Sequence, residues 1–422
     1  MNMSSVKKDK NLLSRRGFLN GAIAGTGTII LSDRLAIAQN MLMGSSELSI
    51  NDVQGWGEKP GFVNIGMNEN PHGPSPMAIR AVADNLMDAN RYDFSSPMKL
   101  NTSIGEYHGL PKVERETTWW GPSSFYPVYC EGGSSFILRQ IAVHHGIRNG
   151  VGEIIEAIPA YGAISREINN YSRRVGAEVN IKRIETTKDF KHDLGKMLDA
   201  VTSETTLIVI TNPNNPTGKV LDPNKLREFC IKASKKTLVL VDEAYNELID
   251  EPPKHSMIPL VKAGHNVIVA RTFSKIYGLA GMRVGYLIAS EENTEWINRY
   301  GMGGYTLNQA GLAAAIASYN DDAFLTFSKE KIYEGKSMVM DAVKANGLTA
   351  LPSSTNFIFV NLGDGNAEYF RQAMAEQDVL IRGIYRTYDN WSRVSMGKIG
   401  DVKRYVDAMP SALEKMYTMQ NT

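Results

Sequence analysis

"TLIVITNPNNPTGKVLDPNKLREFCIKASKKTLVLVDEAY" occupies residues 206–245. Its two ends, "TLIVIT" and "TLVLVDE", are short runs of β-branched and apolar residues, the pattern of strands covered on both faces. Between them "PNKLREFCIKAS" has helical periodicity. Strand, helix and strand in this order make a parallel crossover unit. The alternation extends in both directions through "PVYCE" (127–131), "EIIEAI" (153–158), "EVNIKRI" (178–184), "NVIVART" (266–272) and "VGYLIA" (284–289). Helical stretches such as "FILRQIAVHHG" (136–146) fill most of the gaps. The expected fold class is α/β, with a mostly parallel sheet and helices on both faces. From Leu307 to about Lys344 the chain reads as helix. A second, shorter alternation follows: "FIFVNL", "AEYFRQAMAEQ", "VLIRGI", "SRVSMG" and "KRYVDAMPSALEKMY".

Composition narrows the function classes. The chain has 422 residues, 43% hydrophobic and 22% charged, with net charge +1, which gives no electrostatic case for nucleic acid. The two cysteines, Cys130 and Cys230, form neither a zinc spacing nor a disulfide framework and read as small buried hydrophobes. His72, His108, His144 and His145 have no ligand spacing either. They are expected to be solvated or capping residues, and no metal site is expected.

The N-terminus carries an address. Lys7, Lys8 and Lys10 precede "SRRGFLNG" (14–21), then the short apolar "AIAGTGTIIL" (22–31) and "AIA" (36–38). A basic region, an apolar region and an Ala-x-Ala end make a secretory signal, too short for a stable membrane anchor. The Arg15-Arg16 pair resembles the twin-arginine signal, which implies the twin-arginine export machinery as a partner, cleavage near Ala38 and a periplasmic location. The expected division is 1–38 signal, 39–92 N-terminal arm with part of a small domain, 93–320 large domain and 321–422 small C-terminal domain.

Ligands in parallel sheets sit at the carboxyl ends of strands. "TLIVIT" ends in the turn "NPNNPTG" (212–218), which cannot continue a strand and displays amides. "TLVLVDEAY" ends with Asp242, Glu243 and Tyr245. "NVIVARTFSK" ends with Thr272, Ser274 and Lys275. "PVYCEGGSS" ends with Gly132, Gly133, Ser134 and Ser135 at a helix start. Four neighbouring strand ends are expected to face one pocket. The glycine-serine turn offers N–H groups to a phosphate. Arg283 can neutralise the same dianion, and Ser274 and Thr272 add hydroxyls. A lysine there suits an imine with an aldehyde. An aspartate suits a pyridinium nitrogen, and Asn215 and Tyr245 suit a phenolate. Pyridoxal 5′-phosphate carries all four groups.

"NPNNPTG", "DEAY" and "SKIYGLAGMRVGY", with "NENPHGPSP" (68–76) and "RY" (91–92), resemble the class I/II aminotransferases of fold type I, histidinol-phosphate aminotransferase branch. The resemblance spans about residues 60–415. It implies a large cofactor domain, a smaller α/β C-terminal domain and a homodimer. Lys275 would carry the cofactor as a Schiff base and move the Cα proton, Asp242 would pair with the ring nitrogen, and Asn215 and Tyr245 would contact the phenolate. Gly133, Ser134, Thr272, Ser274 and Arg283 would hold the phosphate. Tyr161 would stack on the ring, and Tyr92 would reach the neighbouring subunit's phosphate. Arg393 would clamp the substrate carboxylate, and Arg382 matches an arginine used for a distal anionic group. Tyr385, Tyr388 and Trp391 nearby suit an aromatic or cationic side chain instead. The implied reaction exchanges an amino group between an L-amino acid and a 2-oxo acid. An oxidase, lyase or cyclase acting on an amino acid such as arginine would use the same residues, and a non-catalytic PLP-fold binding protein is a third possibility. The segment "GLPKVERETTWWGPSSFYPVYC" (109–130) is longer than the family's usual connection and is expected to serve packing or a subunit contact.

Overall fold

A computed structural model describes residues 61–114, 124–147, 151–301, 306–319 and 321–422. The signal-like segment, the arm up to residue 60 and the middle of the aromatic insert lie outside these residues. Seven strands form one sheet: β1 (Val128–Glu131), β2 (Val151–Ile158), β3 (Glu178–Glu185), β4 (Thr205–Thr211), β5 (Leu238–Asp242), β6 (Val267–Thr272) and β7 (Gly285–Ile288), in the order β1-β7-β6-β5-β4-β2-β3. All seven strands read from the sequence are present. β2 to β6 pair in parallel, while β7 runs antiparallel to both β1 and β6.

That reversed strand corrects one expectation. The glycine-serine turn after β1 is not adjacent to the lysine loop after β6, because the start of β7 stands between them. Gly285 pairs with Glu131 on one side and Thr272 on the other. A Cβ at Gly285 would lie 2.8 Å from the Gly133 carbonyl carbon and tighter still against the Ser134 nitrogen. The missing side chain lets the turn fold over the strand start.

The helices obey local rules. α1 (Ser134–Ile141) follows β1, α2 (Ala163–Val175) follows β2, and α3 (Pro223–Ala233) joins β4 to β5. The Asp222 side chain caps α3 by accepting from the N–H groups of Asn224 and Lys225, with Pro223 at the first position. Sheet side chains alternate between two cores. Leu238 and Leu240 pack with Ile137, Ile164 and Ile168, whereas Val239 and Val241 join Leu226, Phe229 and Cys230 in the larger core. Both cysteines are buried and free, and burial pushes the Cys230 thiol up to about 12.

The long helical reading after Leu307 resolves into two helices, Gln309–Ser318 and Asp322–Ala345. Asp321 accepts from the Phe324 N–H and starts the second. Beyond it, Thr349–Ala350, β8 (Phe357–Asn361) and β9 (Trp391–Ser395) make a three-stranded antiparallel sheet. Only Val379–Leu380 of "VLIRGI" is strand, and it pairs in parallel with Val63–Asn64. The described ends of the aromatic insert pair antiparallel, Val113–Glu114 against Ser124–Phe125. His72 and His145 are buried rather than solvated. His72 sits edge-on to Phe327 with ring centroids 5.1 Å apart, and burial, then Lys398 and Lys331, lower its pKa to about 4. No described helix is long and apolar enough to cross a membrane.

A buried ion-pair network ties β5 to β6. Arg271 donates to Glu243 Oε2 through Nη2 at 2.7 Å and Nε at 3.1 Å, and to Glu247 Oε1 through Nη1 at 3.1 Å. Ser256 Oγ and the Met257 N–H complete the Glu243 carboxylate at 2.9 and 2.7 Å. Arg271→Met would strand that carboxylate in the core. Its expected cost is about 3–5 kcal/mol, read as a lowered denaturant midpoint.

Candidate active site

The carboxyl ends of β4, β5 and β6 lie side by side, in register at Thr211 with Asp242 and Asp242 with Ala270. Each delivers one group to a common pocket. After β4, the turn is braced by Gly218 N–H donating to Asn214 O at 2.8 Å and by Asn214 Nδ2 donating to Pro159 O at 2.9 Å. Asn215 is thereby presented with both amide atoms used: Nδ2 lies 3.5 Å from the Tyr245 hydroxyl, and Oδ1 accepts from Arg393 at 2.8 Å.

Asp242 ends β5. It is buried, and the Ala244 N–H donates to its Oδ1 at 3.1 Å. Burial raises its pKa to about 6, against the opposing pull of that N–H and of Lys275. Lys275 follows β6. Its Nζ donates to the Asn68 carbonyl at 3.2 Å and lies 5.7 Å from the Tyr245 ring centre. Burial and then the Arg393 charge lower its pKa to about 8.

Arg393 reaches the same pocket from β9. Its two terminal nitrogens donate to Asn215 Oδ1 and Gly66 O, each at 2.8 Å. Phe357 and Tyr385 hold the guanidinium at 5.4 and 5.9 Å from their ring centres, and its buried Nε has no hydrogen-bond partner among the described residues. Burial lowers the Arg393 pKa.

The anion turn stands at the other side of β7. Gly133 has φ 91°, and a Cβ there would strike the Arg283 guanidinium. Arg283, at φ 55°, lays its Nη1 3.4 Å from Ser274 Oγ and 2.7 Å from Ala280 O. Thr272 Oγ1 accepts from the Ser274 N–H at 3.1 Å. No side chain among the described residues caps α1, so its first-turn N–H groups at Ser134 and Ser135 lack a side-chain cap, as at an anion-binding helix start.

Tyr161, just beyond β2, is partly buried against the core under α2, and the Arg386 guanidinium packs over its neighbour Gly162. Two sequence candidates stand apart. Tyr92 is 88% exposed and stacks on Phe94 with ring centres 6.1 Å apart. Arg382 is exposed; its backbone N–H donates to the Arg393 carbonyl at 3.2 Å, and its charge adds to the lowering of the Arg393 pKa.

Sequence reasoning missed Asn68, Ser395 and Gly285, and it read Tyr385 only as part of an aromatic cluster for a substrate side chain. Tyr385 donates to the carbonyls of Ala160 at 3.3 Å and Asn215 at 3.4 Å, bridging two strand ends. Asn68 opens "NENPHGPSP", and a role for that motif was the available signal.

Comparison with known proteins agrees with this geometry. The family model for aminotransferase class I and II matches residues 60–409. Histidinol-phosphate aminotransferase 1 of Cupriavidus pinatubonensis is 32% identical over 362 residues, covering 85% of this chain and 90% of that one. The histidinol-phosphate aminotransferase of Akkermansia muciniphila is 32% identical over 358 residues, covering 83% and 90%. Among solved structures, a putative histidinol-phosphate aminotransferase from Erwinia carotovora atroseptica superposes with TM-score 0.74 at 27% identity, over 88% of this chain and 99% of that one. The histidinol-phosphate aminotransferase of Sinorhizobium meliloti, solved in complex with pyridoxal 5′-phosphate, shares the fold with TM-score 0.73 at 22% identity, over 93% and 99%. The chain belongs to the class I and II aminotransferases, pyridoxal-phosphate-dependent enzymes of fold type I.

The raised Asp242 pKa makes a stability prediction for the cofactor-free protein. The unfolded chain loses this proton near the ordinary carboxylate value, while the folded chain keeps it until about pH 6. The folded state therefore binds more protons between the two values, and its stability falls as pH rises through that window. Asp242→Asn should stabilise the cofactor-free protein more at pH 7.5 than at pH 4, by up to about 3 kcal/mol. Urea unfolding at the two pH values measures it.

Proposed function

We propose that this chain is an exported aminotransferase that moves an amino group between an L-amino acid and a 2-oxo acid, with pyridoxal 5′-phosphate held on Lys275. The observation that carries the reading is the convergence of Lys275, Asp242, Asn215, Tyr245 and Arg393 on one pocket. Three features fit the cofactor. Asp242 is a buried carboxyl whose one hydrogen-bond donor among the described residues is the Ala244 N–H, as a partner for a protonated ring nitrogen should be. The Gly133 cradle and the uncapped start of α1 suit a phosphate beside Arg283. The Arg393 Nε, unpaired among the described residues, suits a carboxylate.

When bound, the cofactor supplies an electron-withdrawing ring that stabilises negative charge at the carbon bearing the amino group. The residues do the rest. A lysine with pKa about 8 is substantially neutral in mildly alkaline solution, so Nζ can join an aldehyde and later accept a proton. Asp242 would keep a proton on the ring nitrogen. Asn215 and Tyr245 would hydrogen-bond the ring oxygen, and Arg393 would hold the substrate carboxylate. The names of the relatives make histidinol phosphate the first amino donor to test.

The export and assembly parts of the reading rest on other features. Export is supported by the succession of basic, twin-arginine, apolar and Ala-x-Ala segments in the sequence of residues 7–38. A homodimer is supported by the exposed Leu86, Tyr92, Phe94 and Met98, which line a groove of about 970 Å3 that contains none of the residues around Lys275.

Borohydride reduction of the holo-protein followed by peptide mapping should attach the cofactor to Lys275. Lys275→Ala should abolish both turnover and the chromophore, and a variant that still turned over normally would falsify the assignment. Arg15→Lys with Arg16→Lys should hold the precursor in the cytoplasm, measured by cell fractionation. Sedimentation of the purified protein should give twice the chain mass.

A further inference from the structure

The motif "NENPHGPSP" opens on a residue that the chemistry above does not use. Asn68 is buried, and its φ of 56° is a left-handed conformation that asparagine tolerates better than most residues. Ser395 Oγ accepts from the Asn68 N–H at 2.8 Å and donates its proton to Asn68 Oδ1 at 2.7 Å. A hydroxyl has one proton, so Oδ1 is pinned to Ser395 and the amide nitrogen turns the other way. There Nδ2 donates to the Tyr245 hydroxyl at 3.0 Å. Asn215 Nδ2 approaches the same oxygen at 3.5 Å. Facing two N–H donors, Tyr245 has to aim its own proton elsewhere. The Asn68 carbonyl meanwhile accepts from Lys275 Nζ at 3.2 Å, and two residues earlier Gly66 O accepts from Arg393 at 2.8 Å.

We propose that Asn68 is a positioning residue: its amide orients the Tyr245 hydroxyl so that the phenol proton is free for the ring oxygen of the cofactor, and its carbonyl holds the Lys275 amine when that amine is unattached. The inference rests on the roles given above to Lys275 and Tyr245. The segment 66–68 thereby joins the carboxylate arginine, the tyrosine and the lysine in one hydrogen-bonded run.

A donor to the ring oxygen draws off negative charge that would otherwise hold the proton on the neighbouring lysine-linked nitrogen. Losing that donor keeps the proton bound to higher pH. Asn68→Gly deletes the amide, keeps the carbonyl and accepts the positive φ. In the holo-protein it should raise the pH midpoint of the visible chromophore by about one unit, a tenfold change in proton affinity. Ser395→Ala releases the amide without altering residue 68 and should move the midpoint the same way by less. In a Tyr245→Phe background Asn68→Gly should move it no further, since the amide acts through that hydroxyl. An unchanged midpoint in both Asn68→Gly and Ser395→Ala, with the chromophore present, overturns the proposal. A full additional shift in the Tyr245→Phe background overturns it too. Absence of the chromophore from the unsubstituted protein, or borohydride attachment elsewhere, instead overturns the Lys275 assignment beneath it.

Discussion

The pocket depends on a salt bridge that it does not contain. Arg271 and Glu243 meet at 2.7 Å in the core and lock the ends of β5 and β6 to each other. Each lies one residue from a pocket group, Glu243 beside Asp242 and Arg271 beside Thr272. Successive strand residues face opposite ways, so the ion pair fixes from behind what the pocket presents in front. A lone buried charge would be costly, but here the guanidinium is shared between Glu243, Glu247 and Ser256, and the carboxylate is completed by a backbone N–H. Asp242 and Thr272 are thereby braced by an ion pair on the opposite face of the strands.

The same burial that holds the strands shifts the titrating groups. Asp242 is pushed up and Lys275 down, both chiefly by burial. The two shifts narrow the gap between an acid and a base that face one pocket, which is how a site comes to exchange protons near neutral pH. Arg393 adds to the effect: its charge is the second cause of the lowered lysine pKa, and its own pKa is lowered by burial. A substrate carboxylate on Arg393 would offset that charge, so binding at one end of the pocket is felt at the other.

How much of this was legible in the sequence differs by element. Each strand of the large sheet is a local apolar run bounded by turn residues, and all seven could be read. The groups at the strand ends were legible for the same reason, since a chain that leaves a strand through Asn-Pro-Asn-Asn-Pro or Asp-Glu-Ala-Tyr displays polar side chains at a known place. The reversed direction of β7 was not legible. A four-residue strand bears no mark of its polarity, and only pairing with both β1 and β6 shows that its first residue, Gly285, divides the anion turn from the lysine loop.

Sequence by itself determined the inventory: an alternating α/β chain, a lysine, a carboxylate, amides and an anion turn at strand ends, and an arginine far along the chain. Those follow from local periodicity and from the chemistry of single residues. Tertiary structure alone decided which of them meet. Asn68 and Ser395 are 327 positions apart, as are Arg393 and Gly66, yet each pair is hydrogen-bonded. Contacts of that separation arise only when whole elements pack, because hydrogen-bond partners are chosen by proximity in space and not by order in the chain.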